Sequence, residues 1–128
     1  MRRTDQRRAA TFASYQRDVT GDPKPEDELT PFARELVEGV QEHREELDRL
    51  ISENAVGWDL DRIAPLERAI LRTALYEILY RPDIPDEVAI DEAVETAKVY
   101  CGTDAPAFVN GILGGVMKGL SSGDRRLV

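Results

Sequence analysis

The chain has 128 residues, of which 41% are hydrophobic and 33% charged, and its formal net charge is −8. This composition is typical of a soluble globular protein and excludes an intrinsically disordered chain. No apolar run approaches the roughly 18 residues that a membrane span requires. The basic N-terminus lacks the apolar segment of a secretory signal, so we expect a cytoplasmic protein.

The charge is distributed unevenly along the chain. Residues 1–17 contain five arginines and one aspartate, so they carry +4 while the remaining residues carry −12. A basic tip on an acidic body would attract a polyanion to one place and repel it elsewhere. Composition alone leaves a second interpretation open, in which these arginines belong to a frayed and solvated N-terminus.

Cys101 is the only cysteine and His43 the only histidine. One thiol cannot form an internal disulfide, and one cysteine with one distant histidine is too little for a zinc site. We therefore predict a buried apolar role for Cys101 and a solvated helix position for His43. Neither residue has the neighbours that nucleophilic catalysis needs, so no catalytic residue, metal or cofactor is expected.

Prolines and glycines divide the chain into segments with helical periodicity, and no segment alternates like a strand. The first predicted helix runs from about Thr4 to Asp18, and a loop centred on residues 21–25 follows it. Thr30 and Pro31 then favour a helix start, with a hydroxyl cap and a proline in the first turn. From there an apolar stripe at three- and four-residue spacing predicts one helix of about 24 residues.

The second half of the chain contains the most apolar helix. After an interruption at Gly57 and Trp58, a short turn over 60–63 leads to a helix predicted from Pro65 to about Tyr80. Its apolar residues cover much of the circumference, which predicts the buried centre of the fold. Further helices are predicted over about 86–100 and from near residue 105. The prediction is therefore an all-α protein of about six to seven helices.

Three segments of this half resemble the NusB family in their order and spacing. They are WDLDRIAPLERAILRTALYEIL (58–79), IPDEVAIDEAVETAKVY (84–100) and FVNGIL (108–113). The N-terminal RRTDQRRAATFASYQ is similar to the arginine-rich opening of that family. The resemblance implies a single NusB-like domain over 1–128, built from two small packed helical bundles. The N-terminal lobe would cover about 1–56 and the C-terminal lobe about 57–121.

The resemblance also implies a function without catalysis. Members of the family act in transcription antitermination by binding boxA-type leader RNA together with the ribosomal protein NusE. The complex joins elongating RNA polymerase and other Nus factors during ribosomal RNA transcription. Two alternatives remain open at this point: a protein-interaction adaptor or homodimer that does not bind RNA itself, and a fragment of an RNA methyltransferase. The second is disfavoured because the chain ends at Val128 without a glycine-rich cofactor loop.

Residue roles carried over from the resemblance have a physical basis. N-terminal arginines would neutralise phosphates, aromatic rings would stack on unpaired bases, and a carboxylate would accept hydrogen bonds from base amino groups. Two acids lie where the family pairs with NusE. The predicted RNA-binding residues are Arg2, Arg3, Arg7, Arg8, Tyr15, Glu67, Arg68, Arg72 and Phe108, and the predicted partner-binding residues are Asp104 and Glu87.

The sequence departs from the family pattern at a few positions. Asp91 stands where an asparagine is usual, and Glu87 replaces a residue that is basic in some relatives. A short extra helix after the first one is reduced here to a loop. These differences concern affinity and the details of the NusE interface more than the fold.

Overall fold

The computed structural model describes residues 2–21 and 28–121, and within them the protein contains six α-helices and no strand. A single 3₁₀ turn, Leu60–Arg62, lies between the third and fourth helices. This confirms the prediction of an all-α protein. The loop predicted around Asp22–Pro25 lies outside the described residues. The helices are α1 (Arg3–Thr20), α2 (Pro31–Glu42), α3 (Arg44–Asn54), α4 (Pro65–Tyr80), α5 (Asp86–Tyr100) and α6 (Ala105–Ser121).

Helix α4 is the centre of the fold, as its sequence predicts. Every residue from Ala69 to Leu79 is buried, and α4 contacts each of the other five helices. Pro65 stands at its first turn, where a missing N–H costs no helical hydrogen bond. A helix that is apolar around most of its circumference is stable only when other helices cover it on all sides.

The helix predicted to run for about 24 residues from Pro31 is in fact two helices. His43 separates α2 from α3, with φ −106° and ψ 18°. The His43 ring stacks on the Tyr80 ring, with 4.0 Å between centroids, and is half-buried. The prediction that His43 is a solvated helix residue was therefore wrong. The apolar stripe continues through this turn, so periodicity could not reveal either the break or the stacking.

The buried face of helix α1 agrees with the predicted one only in part, at Ala13. The apolar pattern of the sequence predicts Ala9, Phe12 and Ala13 on one side of this helix, with Tyr15 as a further candidate. The buried residues of this helix are Arg7, Ala10, Thr11 and Ala13. An arginine and a threonine on the inward face obscure the apolar pattern, and Phe12 lies only partly covered at the edge.

Close backbone approach brings α2 onto α4. Gly39 lies against the Tyr76 ring so closely that a Cβ at this position would overlap the ring. On the other side of α4, helix α6 packs against α5 and α3. No described helix is both long and apolar enough to cross a membrane. The division into lobes over about 1–56 and 57–121 stays a prediction.

Candidate nucleic-acid interface

Three of the predicted phosphate-binding arginines lie at or near the surface of α1. Arg2 is exposed and forms a 3.5 Å ion pair with Asp5, one turn along the helix. The Arg3 guanidinium lies over the Phe32 ring, 3.8 Å from its centroid. Arg8 is half-buried, and its Nε is covered without a hydrogen-bond partner in the described part of the chain. All three side chains are thus at least partly exposed to solvent.

Arg7 lies inside the protein instead. Its Nε donates to both carboxylate oxygens of Glu77, at 2.9 and 3.1 Å, and its Nη1 is 3.6 Å from Glu92. Only 8% of Arg7 is exposed. Burial raises the pKa of the Glu77 carboxyl, and the Arg7 charge and hydrogen bond oppose that rise. This placement corrects the expectation that Arg7 meets a phosphate, because its guanidinium joins α1 to α4 and α5.

Arg68 and Arg72 do not widen a basic surface either, because both belong to an ion-pair network. The Arg72 Nε donates to Asp48 at 2.7 Å, and the Nη2 of Arg68 lies 3.1 Å from Asp18. Arg44 completes the network with a 2.5 Å hydrogen bond to Asp18. The side chains of Arg68 and Arg72 are only 15% and 4% exposed. The expectation of open cations is therefore corrected at both positions.

This network sets the protonation of Asp18. Burial by itself would raise the pKa of the Asp18 carboxyl. The hydrogen bond from Arg44 and the charges of Arg72 and Arg44 outweigh burial, so the pKa is lowered from its ordinary value of 3.8. Asp18 is thus held in its charged form between α1, α3 and α4.

A second surface on α1 combines a cation with aromatic rings. Arg8, Phe12 and Tyr15 follow one another at four- and three-residue spacing, which places them on one face of the helix. Phe12 packs edge-on against Tyr100, with 4.9 Å between ring centroids, and the Arg8 guanidinium lies 5.6 Å from the same Tyr100 ring. We call Arg8, Phe12, Tyr15 and Tyr100 the α1 strip. The predicted residues Arg8 and Tyr15 are therefore brought together on it.

Three of the remaining predicted residues meet in a groove of about 410 Å³ where the 3₁₀ turn, the start of α4 and the α5–α6 connection come together. Glu67 and Phe108 line this groove, as does Asp104. Burial raises the pKa of the Glu67 carboxyl. Trp58 and Arg62 also line it, and we call the space the Trp58 groove.

Trp58 and Tyr100 are the surface aromatics that the sequence analysis did not identify as site residues. Trp58 is 51% exposed and packs against Phe108 with 5.7 Å between ring centroids and 65° between ring planes. It follows Gly57, whose φ of 84° turns the chain out of α3. The sequence did contain a signal for Trp58 as a site residue, because this tryptophan lies between two helices and outside the apolar stripe of either one.

The groove and the α1 strip are neighbours. Cys101, the residue after Tyr100, is half-buried against the core, in keeping with the apolar role predicted for it. Burial raises the pKa of its thiol, and the charge of Glu67 adds to the rise. Because Gly102, two residues after Tyr100, lines the Trp58 groove, the end of α5 links the two surfaces.

The two predicted partner-binding residues are not brought together. Asp104 is exposed just before α6, and its carbonyl accepts a hydrogen bond from the Phe108 N–H at 3.1 Å. Glu87 is exposed in the first turn of α5. Because α5 has 15 residues and a helix rises 1.5 Å per residue, they lie at opposite ends of a rod about 22 Å long. One small patch cannot contain both.

The fold and these surfaces define a small all-helical protein whose exposed aromatic rings, arginines and carboxylates suit an unpaired nucleic acid. The sequence matches the NusB family over residues 3–118. It is 44% identical to the transcription antitermination protein NusB of Bacillus pumilus over 128 residues, which cover 94% of this chain and 98% of that protein. The chain belongs to the NusB family.

Other relatives support the same assignment. The NusB protein of Symbiobacterium thermophilum is 54% identical over 95 residues, which cover 74% of this chain but 62% of the length of that relative. Among solved structures, NusB of T. maritima has a TM-score of 0.82 at 35% identity, with 92% of each chain covered. A complex of antitermination factors NusB and NusE with dsRNA has a TM-score of 0.79 at 25% identity, covering 91% of this chain and 96% of that chain.

Proposed function

We propose that this protein is an RNA-binding transcription antitermination factor that binds boxA-type leader RNA together with the ribosomal protein NusE. In this role it acts in the cytoplasm with elongating RNA polymerase and other Nus factors during ribosomal RNA transcription, as an adaptor and not as an enzyme. The names of its relatives and the solved NusB–NusE complex with dsRNA support the proposal.

The observation that supports RNA binding most strongly is the meeting of Glu67 and Phe108 in one groove, beside the α1 strip. Unpaired RNA exposes base faces that stack on aromatic rings and base edges that bond to polar side chains. Phosphates along the same strand would meet surface arginines. The proposed contact set is Arg2, Arg3, Arg8, Tyr15, Glu67 and Phe108, whereas Arg7, Arg68 and Arg72 stabilise the fold.

Asp104 is the stronger of the two partner-binding candidates. It is exposed at the rim of the Trp58 groove, where a protein bound next to the RNA would reach it. Glu87 lies at the far end of α5 and would need a separate contact with NusE. We therefore expect Asp104→Ala to change cooperative binding of NusE and RNA more than Glu87→Ala does.

The test is fluorescence anisotropy of a labelled boxA-type RNA, titrated at several salt concentrations with and without NusE. Removing one phosphate contact from a single-strand complex should make the plot of log affinity against log salt shallower by about 0.7. Arg8→Ala should show this change and weaker binding. Arg49→Ala removes the same charge from an exposed pair on α3 and should leave both quantities unchanged. Equal behaviour of the two variants would remove the α1 strip from the interface.

Exposed apolar residues favour one alternative, in which the same surface binds protein and the chain self-associates into a homodimer. Trp58, which lines the groove, is 51% exposed, and Val56, two residues before it, is 89% exposed. Sedimentation with and without RNA separates the possibilities. A dimer that dissociates on adding RNA would place both contacts on one surface, whereas a dimer that persists at saturating RNA would place them apart.

A further inference from the structure

The Trp58 groove combines an open aromatic face with hydrogen-bond acceptors. Phe108 supports the indole from the side, at 65° between ring planes, and so does not cover it as a parallel stack would. About half of the Trp58 surface therefore remains available. The groove volume of about 410 Å³ lies in the range of sites that enclose small ligands.

The polar groups of the groove favour a flat ligand that has hydrogen-bond donors and a negative charge. Glu67 and Asp104 present carboxylate oxygens, which accept hydrogen bonds and do not donate when ionised. Arg62 is exposed at the same groove and supplies a cation for a phosphate. An apolar peptide side chain would leave these groups without partners, whereas a nucleotide offers a flat face, a donor edge and an anionic phosphate.

The acceptors also distinguish between bases. Cytosine, adenine and guanine carry exocyclic amino groups that donate to a carboxylate, as in recognition of cytosine by glutamate. Uracil has no amino group, and the two carbonyls beside its ring N–H would face the carboxylate with like partial charge. The groove chemistry therefore disfavours uracil.

We propose that the Trp58 groove holds one unpaired RNA base that carries an amino group, stacked on the Trp58 indole with its amino edge donating to Glu67. This inference rests on the proposed RNA-binding function and adds to it the residue that stacks on the base and the kind of base it takes. Phe108 then positions the indole, and Arg62 contacts the adjoining phosphate.

The chain offers its own probe for this site, because Trp58 is the only tryptophan. We expect nine-nucleotide oligocytidylate to quench the Trp58 emission in a saturable titration, because a stacked base quenches an indole. Oligouridylate should need a concentration about tenfold higher, the discrimination typical of one good contact to a base edge. Glu67→Gln should reduce this preference, since an amide can donate as well as accept.

Anisotropy of the labelled oligonucleotides, measured in parallel, separates the outcomes. Trp58→Ala should weaken oligocytidylate binding about tenfold, the cost of one base–aromatic stack, and Trp58→Phe should restore most of it. Arg49→Ala, on α3 and outside the groove lining, should bind like the original chain. Circular dichroism checks that all variants stay helical.

RNA binding seen by anisotropy with unchanged Trp58 emission, or with Trp58→Ala binding normally, would overturn this inference and leave the proposed function standing. Equal quenching by both oligonucleotides would overturn the selection for an amino group. Quenching by NusE in the absence of RNA would assign the groove to a protein partner. Absence of RNA binding by the original chain, with and without NusE, would overturn the proposed function itself.

Discussion

A buried arginine on α1 is tied to the central helix by two hydrogen bonds to Glu77. Both charges lost their water on folding, and each now depends on the other to offset that cost. Removing one partner leaves the other charge buried and alone, which is far more destabilising than the net contribution of the pair suggests. Arg7 therefore affects stability before it can affect RNA binding.

We expect Arg7→Ala to lower the free energy of unfolding by roughly 3–5 kcal/mol, the usual cost of breaking a buried ion pair. Urea denaturation followed by circular dichroism measures it. Arg2→Ala is the matched control, because it removes an arginine from an exposed pair and should change stability by less than about 0.5 kcal/mol. A similarly small effect of Arg7→Ala would contradict the buried role of this pair.

At the scale of helices, the sequence predicted the features that prolines and apolar stripes indicate, namely where a helix starts and which of its faces is buried. Pro65 marks the start of α4, and apolar residues over much of its circumference mark its burial, so both predictions were confirmed. The break at His43 and the burial of Arg7 and Thr11 on α1 were not predicted. Both depend on partners far away in the chain, the Tyr80 ring and the Glu77 carboxylate, which no local period contains.

The candidate site was predictable to a similar degree. Glu67 and Phe108 came from the family resemblance, and the structure places them in one groove. The sequence could not show that Arg68 and Arg72 are neutralised, because Asp18 and Asp48 reach them from other helices. A charged side chain that is both buried and ion-paired, as these two are, has little left to offer a ligand.

Packing between α2 and α4 gives a prediction at this scale. Gly39→Ala would push on the Tyr76 ring, whose hydroxyl donates to Glu35 at 3.1 Å. We expect a loss of about 1–3 kcal/mol, typical of overpacking a tight core. Gly114→Ala faces open space within α6 and should instead gain about 0.5–1 kcal/mol from the better helix propensity of alanine. Thermal unfolding of both variants measures these changes in stability. A Gly39→Ala variant more stable than the original chain would show that α2 and α4 pack less tightly than described.

At the scale of the whole molecule, the ion-pair network around Asp18 joins three helices. Asp18 extends from α1, Arg44 and Asp48 from α3, and Arg68 and Arg72 from α4. Because the residues of the network are far apart in the sequence, it forms only when α1, α3 and α4 have packed together. It should therefore respond to pH as a property of the assembled protein.

The direction of that response follows from the lowered pKa of Asp18. A carboxyl whose pKa is lower when folded than when unfolded stabilises the protein above its ordinary pKa, here 3.8, and loses that contribution as the pH falls through its folded value. We expect Asp18→Asn to be less stable than the original chain at pH 7, with a difference that shrinks between about pH 5 and pH 3. Urea midpoints measured across this range test it. A difference that stays constant down to pH 3 would show that the charge of Asp18 contributes nothing.

The Arg7–Glu77 contact also has a consequence for synthesis on the ribosome. The two residues are 70 positions apart, and at the usual 5–20 residues per second the carboxylate is made roughly 4–14 s after the arginine. Until then α1 has neither its ion partner nor the central helix that covers its inward face, and most of the stability of a helix in a protein comes from such packing. Helix α1 is thus made before the other described helices but becomes stably folded only after α4 has been made.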